Sequence, residues 1–240
     1  MTVHLLRLGV ARRELLLFGR NASILGNSDS DFGYLLHSWL KAVFGPHAPK
    51  PFYFDETRGI LYGYTAAPAD ELLEHAQAFA DPLAYRVLAQ GDVATKPMPT
   101  NWHVGKLLRL HVRACPASRK EAKEKDVFLR AIDRWIAAGG SASEKPTRGD
   151  VYLDWFRRQV ADQGIELLHV ELQGLRARVA LLRKGTVNGK RYPREVERPE
   201  AHYSALVRIA DGERFALLLR RGIGRHRAFG YGMVRVLPAS

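Results

Sequence analysis

Two side chains that can exchange protons with a substrate, Tyr34 and His37, lie three residues apart in the first quarter of the chain. A histidine titrates near neutral pH, so its ring can take or give a proton during a reaction. A nearby phenol can position that proton or share it. Because residues three apart lie on one face of a helix, a helical segment would present both groups to the same ligand. The pair therefore indicates general acid–base chemistry.

The segment that carries this pair is predicted to be a helix from about 31 to 44 that stops at Gly45-Pro46. One apolar stripe follows helical spacing and consists of Phe32, Leu35, Leu36, Trp39, Leu40 and Val43. Tyr34, His37 and Lys41 fall on the opposite side, so we expect His37 outside the core. Base rates alone favour a solvated histidine without a function, and the glycine-rich segment near the C-terminus favours the functional interpretation.

That glycine-rich segment runs from Gly222 to Gly232 and also contains Gly224 and Gly230. Glycines tolerate positive φ angles and let a backbone approach another surface closely, and their amides can cradle a phosphate. A dinucleotide-binding fingerprint is excluded because its third glycine would fall at Arg227, and no Gly-Lys-Ser/Thr follows to complete a P-loop. A structural turn and a contact with an RNA backbone both remain open, and both can hold.

The charge distribution predicts a polyanionic partner, either a nucleic acid or an anionic membrane surface. The net charge is +12, of which residues 1–114 hold +2 and residues 115–240 hold +10. The stretch 174–198 has only two acidic residues and is rich in cations, namely Arg176, Arg178, Arg183, Lys184, Lys190, Arg191, Arg194 and Arg198. The charges lie in predicted strands and loops rather than on one amphipathic helix, which disfavours a membrane. A solvated basic loop is the alternative.

The order of predicted elements indicates an α+β protein of two tandem ferredoxin-like (RRM-like) β-α-β-β-α-β domains. We expect domains over 1–115 and 126–240, joined by a polar linker over 116–125. The first has strands at 3–10, 52–55, 59–65 and 106–114 and helices at 31–44 and 70–79. The second has helices at 126–138, 150–163 and 213–221, and strands at 165–172, 175–183, 202–210 and 233–237.

Several function classes are disfavoured by what the sequence lacks. The lone Cys115 cannot form an intramolecular disulfide or a cysteine-rich zinc site. There is no run of 18 apolar residues and no apolar signal region, so we expect a cytoplasmic protein without a membrane partner. His103 and His111 have no clustered carboxylates, so we expect neither a metal site nor a cofactor.

The run Arg220-Arg221-Gly222-Ile223-Gly224-Arg225-His226-Arg227-Ala228-Phe229-Gly230-Tyr231-Gly232 resembles the C-terminal glycine-rich loop of the RAMP superfamily of CRISPR-associated RNA-binding proteins. It is most similar to the loop of the CasE family, and Tyr34-Leu35-Leu36-His37 matches the Tyr-x-x-His element of that family. The resemblance implies an endoribonuclease that cuts CRISPR precursor RNA at the base of each repeat stem-loop. It also implies that the product hairpin is kept within a Cascade-type complex, beside its backbone RAMP subunit.

The same resemblance implies roles for particular residues. His37 would be catalytic with Tyr34, while the 2′-hydroxyl of the RNA serves as nucleophile and leaves a 2′,3′-cyclic phosphate without a metal. The expected RNA-binding residues are Lys41, Arg176, Arg178, Arg183, Lys184, Lys190, Arg191, Arg220, Arg221, Gly222, Gly224, Arg225, His226, Arg227, Gly230 and Gly232. Arg183, Lys184 and Lys190 are candidates to lend a cation to the transition state. The alternative function is a non-catalytic RAMP subunit that caps the guide RNA.

Overall fold

The computed structural model describes residues 2–22, 24, 32–89, 91–121, 123–187 and 190–239, with the backbone alone at 89, 180, 182–187 and 190–195. Its first unit has the strands β1 (His4–Gly9), β2 (Phe52–Asp55), β3 (Ile60–Thr65) and β4 (Val93–Pro97). Its helices are α1 (Arg12–Asn21), α2 (Phe32–Phe44), α3 (Ala69–Phe79) and α4 (Pro82–Ala89). All strand pairs are antiparallel in the order β2-β3-β1-β4.

The second unit repeats this plan. Its sheet contains β5 (Leu107–Ala114), β8 (Ile165–Val187), β9 (Lys190–Ile209) and β10 (Val234–Pro238), in the order β10-β5-β9-β8. Its helices are α5 (Val127–Ala137), α6 (Arg148–Val160) and α7 (Gly212–Arg221), and a small hairpin of β6 (Ala117–Lys120) and β7 (Lys123–Asp126) follows β5. Both sheets have the strand order of a ferredoxin-like fold, which confirms the predicted α+β class with two β-α-β-β-α-β halves.

One predicted strand belongs to the other sheet. The segment 106–114 was expected to close the first domain, but β5 pairs with β9 and β10 of the second sheet. The prediction was wrong because an alternating strand shows which face is buried without showing its partner. β4, which the sequence analysis missed, takes the fourth place in the first sheet by pairing with β1. The predicted linker 116–125 also differs, because most of it forms the β6–β7 hairpin.

The two strands expected at 165–172 and 175–183 are one continuous strand, β8. Its pairing with β9 shifts register between Leu167 and His169, between Leu172 and Gly174, and between Arg176 and Val179, as β-bulges do. The basic stretch expected to connect two strands is the far part of this long hairpin, which pairs as far as Val187 with Lys190. The cations of this stretch therefore lie on the two-stranded hairpin of β8 and β9, which is called the β8–β9 arm below.

The two units pack directly on each other. Leu6 and Leu8 of β1 face the helices of the first unit, whereas Leu5 and the tyrosines of β2 and β3 pack against the second core. The buried hydroxyl of Tyr64 donates a hydrogen bond of 2.7 Å to the carbonyl of Val234, and the guanidinium of Arg235 lies 4.0 Å from the ring centroid of Tyr53. These contacts set the position of the α2 helix relative to the C-terminal loop.

Candidate active site

The α2 helix holds its polar face toward the second unit. Its buried residues are Leu35, Leu36, Trp39, Leu40, Val43 and Phe44. Five of the six residues of the predicted apolar stripe are thus buried, and the sixth, Phe32, is partly buried against the same core. The indole nitrogen of Trp39 donates a hydrogen bond of 3.0 Å to the carbonyl of Ala84 and so ties the helix to α4. Tyr34 and His37 are half-buried on the other side. The expectation that His37 lies outside the helix's own core is confirmed.

Tyr34 and His37 both contact the ring of Phe229, which lies in the glycine-rich loop. The centroids of the His37 and Phe229 rings are 4.9 Å apart with a 57° angle between the planes. The Tyr34 ring is nearly parallel to Phe229 at 6.1 Å. The loop and the helix, which come from opposite ends of the sequence, therefore meet at these three rings.

The glycine-rich loop is shaped by close backbone contacts within the protein. Gly222, Gly224, Gly230 and Gly232 all have positive φ angles. A Cβ atom on Gly232 would lie 2.2 Å from the carbonyl oxygen of Ile223, and one on Gly224 would lie 2.9 Å from the ring of Trp155. Hydrogen bonds run from Ile223 N to Gly232 O at 2.8 Å and from Gly232 N to Arg113 O at 2.7 Å. These contacts support the structural role of the glycines, and their contact with RNA stays a prediction.

The carboxylate of Glu124, in β7, fastens the Arg225-His226 part of this loop to the rest of the unit. It accepts hydrogen bonds from Arg225 Nε at 2.5 Å, from His226 Nε2 at 2.7 Å and from Arg198 Nε at 2.5 Å. Burial disfavours the charged carboxylate, but the hydrogen bonds from His226, Arg198 and Arg225 outweigh it and hold the pKa of Glu124 well below its usual range. Glu124 is therefore ionised at neutral pH. His226, which was expected to bind RNA, uses its Nε2 atom to bind this carboxylate of the protein.

An open cleft of about 260 Å³ lies beside the Phe229 ring. Its walls come from α2 at Gly33, from the loop at Phe229 and Gly230, and from two cationic side chains, Arg113 and Arg176. Glu56 lies at the same cleft. The arrangement places positive charge close to the helix that carries Tyr34 and His37.

Arg113 is held by the buried carboxylate of Glu200. Their ion pair is 2.6 Å, the guanidinium stacks 5.1 Å from the ring centroid of Tyr231, and the Tyr231 hydroxyl donates to Glu200 at 3.1 Å. Glu200 is 2% exposed. Burial raises its pKa, but the hydrogen bond from His202 and the charge of Arg113 prevail and bring it from 4.5 to about 2. The network fixes the floor of the cleft.

The other predicted binding residues are spread over several surfaces. Lys41 is exposed one turn beyond His37. Arg178 pairs with Glu197 at 3.5 Å on the β8–β9 arm, and Arg227 donates to the carbonyl of Arg221. Arg220 lines a different pocket with Thr2 and Lys50, away from the Phe229 cleft. The side chains of Arg183, Lys184, Lys190 and Arg191 lie outside the described part of the structure.

Three residues that the sequence analysis did not single out complete the site: Phe229, Glu124 and Arg113. Phe229 lies inside the quoted loop, but nothing in its spacing shows that it meets α2. Glu124 lay in the segment assigned to a linker, and its partners are 74 to 102 residues away in the chain. A carboxylate among several lysines and arginines looks like an ordinary solvated residue until the fold brings Arg198, Arg225 and His226 to it.

Two features are absent from the residues that the structure describes. No group of three or more histidine, cysteine, aspartate or glutamate side chains is arranged to hold a metal ion in that part of the chain. Among the same residues, none of the helices has the length and apolar character needed to cross a bilayer.

Comparison with known structures finds the same fold. Cse3 of Thermus thermophilus, bound to an RNA that represents a pre-cleavage complex, matches with a TM-score of 0.61 and 18% identity over 99% of this chain and 100% of that chain. The CRISPR-associated protein Cas6e of Escherichia coli K-12 matches with a TM-score of 0.53 and 16% identity over 98% and 99%. A chain of a CRISPR RNA-guided surveillance complex matches with a TM-score of 0.51 and 15% identity over 98% and 99%.

These matches confirm the fold that the resemblance implied. No curated protein matches the sequence. The family described as CRISPR associated protein matches residues 5–238, which is nearly the whole chain. The chain therefore belongs to the CRISPR-associated protein family.

Proposed function

We propose that this protein is an endoribonuclease that cuts CRISPR precursor RNA at the base of the repeat stem-loop and then retains the hairpin. The observation that carries the proposal is the meeting of Tyr34 and His37 with Phe229 of the glycine-rich loop. The polar face of α2 holds a proton-transfer pair against Phe229, whose ring also lines the open cleft. The fold is that of Cse3, which has been observed bound to an RNA that represents a pre-cleavage complex.

The chemistry needs only groups that the protein and the RNA supply. The 2′-hydroxyl next to the scissile phosphate attacks the phosphorus atom in line, and the bond to the 5′-oxygen of the next nucleotide breaks. The products are a 2′,3′-cyclic phosphate and a 5′-hydroxyl end. His37 takes the proton from the nucleophile or gives one to the leaving oxygen, and Tyr34 positions that proton. Such a residue contributes about 10²–10⁴-fold to the rate.

The negative charge that develops on the phosphate needs a cation at the cleft. Arg176 is exposed on β8 and lines the same cleft as Phe229, so we assign it this role. The charge of Arg113 is balanced by Glu200, which suits it to hold the floor of the cleft rather than to follow the reacting phosphate. Arg183, Lys184 and Lys190 remain candidates for the same contribution from the arm.

The β8–β9 arm and the glycine-rich loop bind the stem of the hairpin in this proposal. Side chains cannot read the bases in the deep groove of A-form RNA, so proteins recognise such a helix largely through its phosphates. Lysine and arginine bind phosphates, which suits the basic arm. Most of these contacts survive the cut, so the product stays bound and the protein becomes the hairpin-holding subunit of a Cascade-type complex beside its backbone RAMP subunit. Its place is the cytoplasm, where the transcript is made.

The decisive experiment incubates purified protein with a panel of CRISPR repeat RNAs in excess EDTA and identifies the ends of the products. We expect one cut at the base of the stem-loop, a 2′,3′-cyclic phosphate, and no cut when the nucleotide 5′ of that site is 2′-deoxy. Tight binding of the repeat without any cleavage would overturn the nuclease and favour a subunit that caps the guide RNA. Cleavage that requires a divalent metal would overturn the mechanism.

A further inference from the structure

A second groove, separate from the cleft at Phe229, lies on the helical side of the second unit. It has a volume of about 870 Å³ and runs between the β6–β7 hairpin, α5, α6 and the start of the glycine-rich loop. Among its described lining residues, one is acidic, Asp133, and six are basic: Arg119, Lys120, Arg130, Arg134, Arg158 and Arg225.

Two of these six cations are already paired, Arg225 with Glu124 and Lys120 with Glu121. The charge available to a ligand comes from Arg130, Arg134 and Arg158. Asp133, the acid at the groove, already binds Lys125. Arg130 donates to the carbonyl of Lys123 at 2.9 Å, and Arg134 donates to the carbonyl of Arg130 at 3.4 Å. Carbonyl oxygens carry no formal charge, so these bonds orient the guanidinium groups without neutralising them. Arg134 and Arg158 are exposed at the surface of α5 and α6.

The groove also has an apolar floor. Trp155 of α6, which is 4% exposed, lines it together with Val127 and Val151. Guanidinium groups around an apolar floor suit a chain that has both phosphates and flat bases, because the phosphates pair with arginine and the bases rest on apolar surface. The groove therefore fits single-stranded nucleic acid better than a lone anion.

The wall of the groove connects it with the candidate active site. Gly224 and Arg225 form part of that wall, and Phe229 of the same loop touches His37. Three residues lie between Arg225 and Phe229, so their Cα atoms are four steps of the chain apart and lie within about 14 Å. A strand of RNA that leaves the cut site reaches the groove within a few nucleotides. An acidic protein segment has no such reason to lie there.

We propose that this groove binds the single-stranded RNA that flanks the repeat hairpin, as a second binding surface of the precursor. The proposal rests on the proposed function for the identity of the RNA. It adds a role for Arg134 and Arg158, which are outside the cleft and outside the β8–β9 arm.

The test measures binding of uncleavable repeat RNAs, 2′-deoxy at the cut, to the full-length protein at several salt concentrations. Three RNAs are compared: the hairpin alone, the hairpin with a 5′ flank and the hairpin with a 3′ flank. R134A/R158A is the groove variant, and R20A/R86A removes the same charge from exposed positions on α1 and α4. A circular dichroism spectrum and a melting curve confirm that both variants are folded.

We expect one flank to tighten binding to the wild-type protein and R134A/R158A to lose that gain while it binds the bare hairpin normally. A plot of the logarithm of the binding constant against the logarithm of the salt concentration has a slope that reports the number of phosphate contacts. For the flanked RNA, the magnitude of this salt slope should fall by about 1.4 in R134A/R158A, because each contact with a single-stranded phosphate contributes about 0.7. R20A/R86A should keep the gain. Because binding alone is measured, a protein that binds but never cuts would overturn the proposed nuclease and leave this test valid.

Three results would overturn the proposal: no gain from either flank, a gain that R134A/R158A retains, or an equal loss in R20A/R86A. If RNA binding is unchanged in R134A/R158A but polyglutamate binds the wild-type protein and not this variant, the groove belongs to an acidic protein segment instead.

Discussion

The imidazole of His37 packs against the ring of Phe229, with centroids 4.9 Å apart, although His37 belongs to the first unit and Phe229 to the second. The side chain that we assign to proton transfer is thus positioned by a loop at the other end of the chain. That loop is in turn held by Glu124, so His37 depends on contacts that do not touch it.

Replacing His37 by alanine should slow cleavage of repeat RNA by about 10²–10⁴-fold, since a general acid or base is removed. Affinity for the hairpin should stay within a few-fold, because the binding cations are elsewhere. Single-turnover cleavage and a binding titration provide the two measurements. H103A, which changes an exposed histidine, is the control. Cleavage by H37A at the wild-type rate would remove His37 from the mechanism.

Replacing Glu124 by glutamine should loosen the glycine-rich loop, because a neutral amide cannot balance Arg198 and Arg225 and accept from His226 together. We expect faster limited proteolysis within 222–230 and a slower cleavage step, with hairpin affinity less affected. E121Q changes an exposed glutamate in the turn of the same hairpin and should behave as wild type. If E124Q leaves both the proteolysis and the rate unchanged, the carboxylate does not position the loop.

Replacing Gly232 by alanine should destabilise the protein far more than the same change at Gly105. Both glycines have a similar positive φ, 77° and 85°, so both alanines bear a backbone cost of about 1 kcal/mol. A Cβ at Gly232 would lie 2.2 Å from the Ile223 oxygen, whereas at Gly105 nothing is within 4 Å. Urea unfolding should therefore show about 1–3 kcal/mol of additional loss for G232A. Equal losses would show that the contact does not matter.

The ion pair of Glu200 should make a pH-dependent contribution to the free energy of unfolding. Its folded pKa, about 2, lies below the unfolded value of 4.5, so the contribution is complete above pH 4.5 and is lost as the pH falls toward 2. The shift corresponds to about 3 kcal/mol. The stability gap between wild type and E200Q should be widest near neutral pH and close in acid, whereas E197Q, at an exposed position, should show little gap. A gap that does not vary with pH would contradict this.

The variant R183A/K184A/K190A removes three cations from the β8–β9 arm and should weaken hairpin binding. Its salt slope should be smaller in magnitude by about 0.7–0.9 for each lost phosphate contact. R20A/R86A/K96A carries the same change in net charge on the first unit and serves as the control. If one of the three arm cations also stabilises the transition state, its single variant should lower the rate at saturating protein. An unchanged slope would place the binding surface elsewhere.

The helix α2 could be predicted from the sequence because its apolar residues recur at the period of an α-helix, and these are the residues that the fold buries. The partner of β5 could not, since the alternation of Leu108, Leu110 and Val112 is compatible with either sheet. The helix α1 was missed because Gly19 and its charged residues dilute its short apolar stripe of Leu15 and Phe18. The role of Glu124 could not be predicted either, because its three partners lie far from it in the sequence and come close to it only in the folded protein.

The contact between α2 and the Phe229 loop has a consequence for the order in which the chain acquires activity. During synthesis Phe229 leaves the ribosome about 190 residues after His37. A nascent chain whose first unit has already folded therefore carries the histidine without the ring that orients it. In the nuclease that we propose, the catalytic histidine would therefore be positioned only after the loop has been synthesised and has docked on α2.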